Sequence, residues 1–217
     1  NAFPSRGGRV LWEKEAKFIN KKHKLMKKIF SLLAVVFMAM GMFAADYVKV
    51  TENPADWAGE YVLVCETQAT PYAFTGVDAT LGSEAVTITN GVIQNYTGVT
   101  LTIAALADGG YSVMVNGGTN NGKYISSGSS APTYSNALKF VTTATRVDLA
   151  YEDSAAKMYQ VIGPDSVVSI RFNKAADQLR FRFYKSGQEA VQLYRLLVDT
   201  TGGSDPVTPG AGITYEL

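Results

Sequence analysis

Residues 180–185 read RFRFYK, in which arginines and aromatic residues alternate. A period of two is typical of a β-strand with one buried face, because successive side chains point to opposite faces of the sheet. We therefore expect Phe181 and Phe183 to point into a core, and Arg180 and Arg182 to point outward. The stretch predicts a strand that forms part of a sheet protein.

Short apolar runs of this kind recur along the chain, separated by Gly, Asn, Asp and Ser. The runs are 47–50, 61–65, 86–89, 99–104, 111–115, 123–126, 138–142, 147–151, 159–162, 167–172, 179–184 and 190–196. The glycine pairs that follow Asp108 and Asn116 supply the backbone freedom that tight turns need. No helical period is found in this region, so the many short strands predict an all-β sandwich or barrel.

A weak internal repeat favours one of these two architectures. Tyr61, Tyr111 and Tyr159 each lie early in an apolar run, 50 and 48 residues apart. A second aromatic residue follows each tyrosine after 13 residues, at Phe74, Tyr124 and Phe172. Three units of this length predict a closed β-barrel of the trefoil-like type, whose closure removes free sheet edges. A two-sheet β-sandwich is the alternative, because strand patterning does not separate the two.

Residues 26–45 have the features of a secretory signal peptide. Met26 is followed by two lysines and then by an uncharged, mostly apolar run of 17 residues, which Asp46 ends. A basic start, an apolar centre and small residues at the end predict export. The alternative is an uncleaved membrane anchor, although a spanning helix needs about 20 apolar residues. Both interpretations predict a secreted or cell-surface protein, with the periplasm also compatible.

The predicted signal peptide also sets the domain organisation. Residues 1–25 are interpreted as an untranslated or leader extension, and residues 46–198 as one all-β domain of ordinary size. Residues 199–212 are rich in Gly, Pro, Ser and Thr, which predicts a linker. Residues 213–217 are interpreted as the start of a truncated next module. Neighbouring domains of a longer chain are therefore expected partners.

The composition after residue 45 excludes several kinds of site. His23, the only histidine, lies before that point, together with nine of the 20 basic and two of the 19 acidic residues. The remainder has 11 basic and 17 acidic residues, a formal charge of −6. It lacks imidazole for nucleophile pairs or metal ligands, and Cys65, interpreted as a small core residue, is its only cysteine. We expect no metal, no cofactor and no nucleic-acid partner, because phosphates require clustered Lys and Arg.

Three tyrosines and three arginines are candidates for ligand binding. They are Tyr72, Tyr96, Tyr134, Arg171, Arg180 and Arg182. The tyrosines lie in loops or at strand ends, where exposed rings can stack on sugars. The arginines predict a small basic patch that can bind carboxylates or an acidic glycan. The alternative is a solvated face whose arginines pair with acidic neighbours across the sheet. Trp57 is interpreted as a packing residue at one end of the barrel.

Paired carboxylates are the remaining route to catalysis, because they can hydrolyse a glycoside without histidine. The candidates are Glu152, Asp153, Asp165 and Asp177. All of them lie next to turn residues, where acidic groups are usually solvated. We therefore expect no enzymatic activity, and a carboxylate-based glycoside hydrolase is the second alternative.

Two parts of the chain carry a resemblance to a known group. Residues 47–64 read YVKVTENPADWAGEYVLV, and the later stretches 170–173, 179–186 and 191–195 read IRFN, LRFRFYKS and VQLYR. This pattern resembles an uncharacterised all-β module of secreted, multidomain surface proteins from gut bacteroidetes. Its shared residues are structural aromatics and turn glycines, so the resemblance implies no catalytic residue.

These observations together predict a non-catalytic accessory module of an exported bacterial surface protein. The expected partner is an extracellular glycan, besides the neighbouring domains. The first alternative is a purely structural surface or spacer module. Contact with a membrane is expected only if the leader remains uncleaved.

Overall fold

The computed structural model describes residues 44–129 and 134–198. These ranges contain no helix, and hence no helix that could cross a membrane. The all-β prediction is confirmed. Most of the predicted signal peptide, the linker and the next module lie outside the described residues.

In chain order the strands are β1 (Ala45–Lys49), β2 (Gly59–Cys65), β3 (Tyr72–Phe74), β4 (Ser83–Ala85), β5 (Val92–Tyr96), β6 (Thr100–Ala105), β7 (Tyr111–Asn116), β8 (Tyr124–Ser126), β9 (Lys139–Val141), β10 (Asp148–Glu152), β11 (Ala155–Gly163), β12 (Ser166–Asn173), β13 (Arg180–Tyr184) and β14 (Gln192–Leu196).

The strands form two sheets. The larger has ten strands, eight of them in the order β5-β1-β14-β2-β6-β7-β8-β9, with β3 on β2 and β4 on β3. The smaller has four strands in the order β10-β11-β12-β13. Isolated bridges join Tyr111 to Val147 and Ala137 to Phe183, and so connect segments of the two sheets.

The trefoil-like closed barrel is not found among the described residues, and the two-sheet arrangement fits the sandwich alternative better. The three tyrosines of the predicted repeat do not occupy equivalent positions in the fold. Tyr61 and Tyr111 lie in β2 and β7 of the larger sheet, whereas Tyr159 lies in β11 of the smaller one. Aromatic residues are common in strands of any sheet, so their even spacing does not require equivalent positions.

The main core lies between inward-facing side chains of both sheets. Phe172, Phe181 and Phe183 are fully buried, whereas Arg180 and Arg182 are half-buried on the opposite face. The rings of Phe172 and Phe181 are 4.9 Å apart at their centroids. The inward and outward prediction for residues 180–183 is thus confirmed. Full burial of each such ring contributes about 1.5–3 kcal/mol.

Trp57 and Cys65 belong to this main core as well. Trp57 is 5% exposed and packs 6.5 Å from the ring of Tyr61, measured between centroids. Cys65 is fully buried at the end of β2. Burial raises the pKa of the Cys65 thiol, which disfavours a nucleophilic thiolate. Both residues pack as the sequence predicts.

A second, smaller core lies on the other face of β1, β14 and β2. It contains Val62, Val64 and Ile93, with Val86 and Ile88 packed against it. Because β2 has one core on each side, residues 61–65 are all buried. This explains why that run is continuously apolar, whereas strands with a single buried face alternate.

Three buried tyrosines of the second core each donate a hydrogen bond to a glutamate. The pairs are Tyr47 with Glu60, Tyr96 with Glu84 and Tyr194 with Glu66. Burial, more than the neighbouring carboxylate, raises the pKa of each of these tyrosines far above its usual value. The hydroxyls therefore stay protonated and anchor the rings at the margin of the apolar cluster.

The predicted strand at 86–89 is wrong in extent. Val86 donates one backbone hydrogen bond to Pro71, and Thr89 forms an isolated bridge to Val92 across a tight turn. Asn90 and Gly91 have positive φ angles of 51° and 74° in this turn. The alternation of the run reflects the packing of its apolar side chains on the second core, without a neighbouring strand along its length.

Truncation of Phe181 tests the main core. We expect Phe181→Ala to lower the free energy of unfolding by about 3–5 kcal/mol, because the fully buried ring leaves a cavity beside Phe74 and Phe172. Chemical denaturation of the full chain measures the change. The control Gln94→Ala, at an exposed position of β5, should stay within about 0.5 kcal/mol of the parent. Equal effects of the two variants would contradict this core.

The second core predicts a loss of stability at alkaline pH. An unfolded tyrosine ionises near pH 10, whereas buried Tyr47 keeps its proton, so unfolding releases a proton above that pH. The stabilisation by this group is complete below pH 10 and declines as pH rises beyond it. Each such tyrosine contributes about 1.4 kcal/mol per pH unit to the decline.

The free energy of unfolding should therefore decline less steeply above pH 10 in Tyr47→Phe than in the parent. The expected difference in slope is that of one proton, about 1.4 kcal/mol per pH unit. Urea denaturation at several pH values measures this slope. Ile93→Val, in the same core, should lower stability by about 1 kcal/mol at every pH and leave the slope unchanged. An identical slope in Tyr47→Phe and the parent would show that Tyr47 ionises normally in the folded protein.

Candidate functional site

Arg171, Arg180 and Arg182 lie on one face of the smaller sheet, which we call the arginine face. Arg171 on β12 is paired directly with Arg182 on β13, and Arg180 is paired with Asn173. Directly opposed side chains have Cβ atoms about 4.5–5.5 Å apart. The same alternation that buries the phenylalanines therefore collects three guanidinium groups on the other side of the two strands.

Arg182 is held by two segments from elsewhere in the chain. Its Nε forms an ion pair with Asp78, and its Nη1 donates to the carbonyl oxygen of Asn136 at 3.1 Å. Asp78 also accepts a hydrogen bond from the backbone of Leu138. The acidic partner of Arg182 thus comes from the connection between β3 and β4, and not from a neighbouring strand as the sequence suggested. Arg182 ties this connection to β13.

Arg171 and Arg180 have no carboxylate within salt-bridge distance in the part of the chain that the structure describes. Arg171 donates from Nη1 to the carbonyl oxygen of Gln188 at 3.1 Å. The Nε atoms of both arginines are buried and find no hydrogen-bond partner in those same ranges. Two of the three charges on the arginine face are therefore available to an anion.

Tyr134 lies beside the arginine face. Its hydroxyl donates to the side chain of Asn136, the residue whose carbonyl oxygen binds Arg182. The same hydroxyl accepts a hydrogen bond of 2.8 Å from the backbone of Lys185. The Lys185 ammonium lies 4.9 Å from the centre of the Tyr134 ring. The ring therefore holds a further cation next to β13.

Tyr72 and Tyr96 do not join this group. Tyr72 is half-buried and stacks on Phe172 with 5.6 Å between ring centroids. Tyr96 is 9% exposed and packs edge-on against Tyr47 in the second core. Their positions at strand ends suggested exposed rings, but both rings gain more contact area inside the protein. Four of the six predicted residues therefore lie together, and these two lie in the cores.

The candidate carboxylates for glycoside hydrolysis lie at hairpin turns. Glu152 forms an ion pair of 2.8 Å with Lys157, and Asp153 has a positive φ in the turn between β10 and β11. Asp165 lies in the next turn, at the opposite end of β11, and Asp177 in the one after. Because β11 is nine residues long, Asp165 is about 25–30 Å from the other two turns. A catalytic pair at 5–10 Å cannot include Asp165.

Neither a metal site nor a similarity to known proteins identifies a function for the described residues. Within residues 44–129 and 134–198, no group of three His, Cys, Asp or Glu side chains is placed to hold a metal ion. No protein-family model, curated protein or solved structure matches the chain. The resemblance to bacteroidetes surface modules therefore stays a prediction.

Proposed function

We propose that this chain is a non-catalytic accessory module of an exported bacterial surface protein, and that its arginine face binds a carboxylate-bearing glycan. The observation that carries the proposal is the pair of half-buried guanidinium groups, Arg171 and Arg180, on adjacent strands. Neither has an acidic partner among the described residues. Secretion, and a role beside neighbouring domains, belong to the same proposal.

A guanidinium group fits a carboxylate in particular. Its planar N–H groups can donate two parallel hydrogen bonds to the two oxygens, and charge makes these bonds stronger than neutral ones. With Nε buried in both arginines, the outer nitrogens are the donors left for a ligand. A uronic acid polymer offers carboxylates at regular spacing along an extended chain, so neighbouring units can reach Arg171, Arg180 and Lys185.

The charge around the face adds selectivity. The chain after residue 45 has a formal charge of −6, so its net charge repels a polyanion. Binding then depends on the local excess of cations on β12 and β13. Because salt screens exposed charges, affinity for the glycan should decrease as ionic strength increases.

A purely structural module is the second candidate, and Arg182 favours it. This side chain bonds through Nε to Asp78 and through Nη1 to Asn136, so at least one arginine of the face serves to hold loops in place. If Arg171 and Arg180 had the same role, the face would bind no ligand and the module would be a spacer.

Binding to polygalacturonate separates the two candidates. The double variant Arg171→Gln with Arg180→Gln should weaken binding by the full chain about 100-fold or more, because it removes at least two charged hydrogen bonds of about 1.5–3 kcal/mol each. Isothermal titration calorimetry measures affinity, and thermal unfolding checks that the variant folds. Methyl-esterified polygalacturonate, which lacks the charge, should bind weakly to every variant.

The double variant Lys49→Gln with Lys123→Gln is the matched control. It removes the same number of charges from outside the arginine face and should keep the parent affinity within about threefold. If the parent does not bind polygalacturonate, or if both double variants weaken binding equally, the proposed site is wrong and the spacer function gains support.

A further inference from the structure

A cleft of about 520 Å³ opens at the β10 edge of the smaller sheet, at the opposite edge from β13. One wall comes from Ser126 and Ser129, at and after the end of β8. The other wall comes from Arg146 and Asp148, at the start of β10, and from Val161 on β11. Its volume is within the range of about 300–1,000 Å³ that small-molecule sites have. Asp148 and Val161 lie on the same face of the sheet as the three arginines, but on β10 and β11 instead of β12 and β13.

Gln160 fixes the two walls relative to each other. Its side chain is 7% exposed, accepts a hydrogen bond from the backbone of Ser127 and donates one to the carbonyl oxygen of Arg146, both at 2.7 Å. One buried amide thus bonds to the segment after β8 and to the segment before β10. The cleft is held open by the fold before any ligand enters, which reduces the entropic cost of binding.

An ion pair provides the charged groups that the described residues bring to the cleft. Arg146 donates from Nη2 to Oδ1 of Asp148 at 2.8 Å and from Nε to both carboxylate oxygens at 3.1 and 3.3 Å. Gly110 makes room for the pair, since a Cβ atom there would lie 2.8 Å from Nε of Arg146. In the described ranges Nη1 of Arg146 has no partner, and Oδ2 of Asp148 accepts one long bond only. The pair thus retains one unused donor and one acceptor with capacity to spare.

The remaining lining selects the kind of ligand. Among the described residues that line the cleft, only Arg146 and Asp148 are charged, and their charges cancel, so these residues do not favour an ion. Val161 is 60% exposed and provides an apolar surface, continued by Val167 opposite it on β12, which is 42% exposed. Tyr159 is paired with Asp148 and lies two residues before Val161. A sugar ring has the matching properties, because adjacent hydroxyls both donate and accept while its C–H face is apolar.

We propose that this cleft binds one neutral sugar unit, with vicinal hydroxyls on the Arg146–Asp148 pair and the C–H face against Val161. One hydroxyl accepts from Nη1 of Arg146, and its neighbour donates to Oδ2 of Asp148. The site is independent of the arginine face in residues and in ligand charge. It goes beyond the proposed function and does not depend on it.

Titration of the ¹⁵N-labelled full chain with the methyl glycosides of glucose, galactose, mannose and xylose tests the proposal. At least one should bind saturably, with shifts of the amide signals of the cleft residues. The double variant Arg146→Gln with Asp148→Asn should weaken that binding about tenfold or more, because it removes the charge from both hydrogen-bonding groups.

The matched control is Lys157→Gln with Glu152→Gln, which neutralises an ion pair between β10 and β11 outside the cleft. It should leave sugar binding unchanged. The proposal is overturned if none of the four glycosides binds saturably, or if the control weakens binding as much as the cleft variant. Arg171→Gln with Arg180→Gln should also leave sugar binding unchanged, so a failure of polygalacturonate binding does not affect this result.

Discussion

The burial of β2 on both faces is the constraint on which the rest of the structure depends. Tyr61, Leu63 and Cys65 face the main core, while Val62 and Val64 face the second core. A strand with apolar side chains on both sides must be covered on both sides, because each exposed ring or branched chain would lose about 1.5–3 kcal/mol of burial. The smaller sheet covers the main core. The chain from β3 to β5 covers the second core.

The strands that alternate or run continuously apolar were predictable, whereas β3, β4 and β5 were not. In β13 a period of two is enough to assign the faces, because it has a single apolar side. The strands β3 and β4 have only three residues each, and β5 has Gln94 and Asn95 exposed between its buried ends. Such strands exist because a partner pairs with them, and β5 pairs with β1, which lies more than 40 residues earlier. Local sequence carries no signal for that partner.

The same limit applies to the candidate site. That Arg180 and Arg182 share a face follows from their spacing, and the addition of Arg171 requires only the β12–β13 hairpin. The partners of these arginines were not predictable. Asp78 lies 104 residues from Arg182, and Asn136 lies 46 residues away, each in a connection without regular structure. Tyr72 and Tyr96 show the converse, since a ring that looks available beside a turn is buried when the tertiary fold offers it an aromatic neighbour.

The two sheets therefore differ in role, because the larger sheet stabilises the fold and the smaller sheet carries the candidate binding surfaces. The central strands of the larger sheet have cores on both sides, so their side chains are committed to stability, down to the tyrosine hydroxyls that bind glutamates. The smaller sheet buries one face only. Its outer positions carry Arg171 and Arg180, whose side chains the core does not need, and its first two strands border the cleft beside Asp148. A ligand-binding surface can develop on such a sheet at little cost to the fold, because replacing an outward side chain leaves the buried alternation intact.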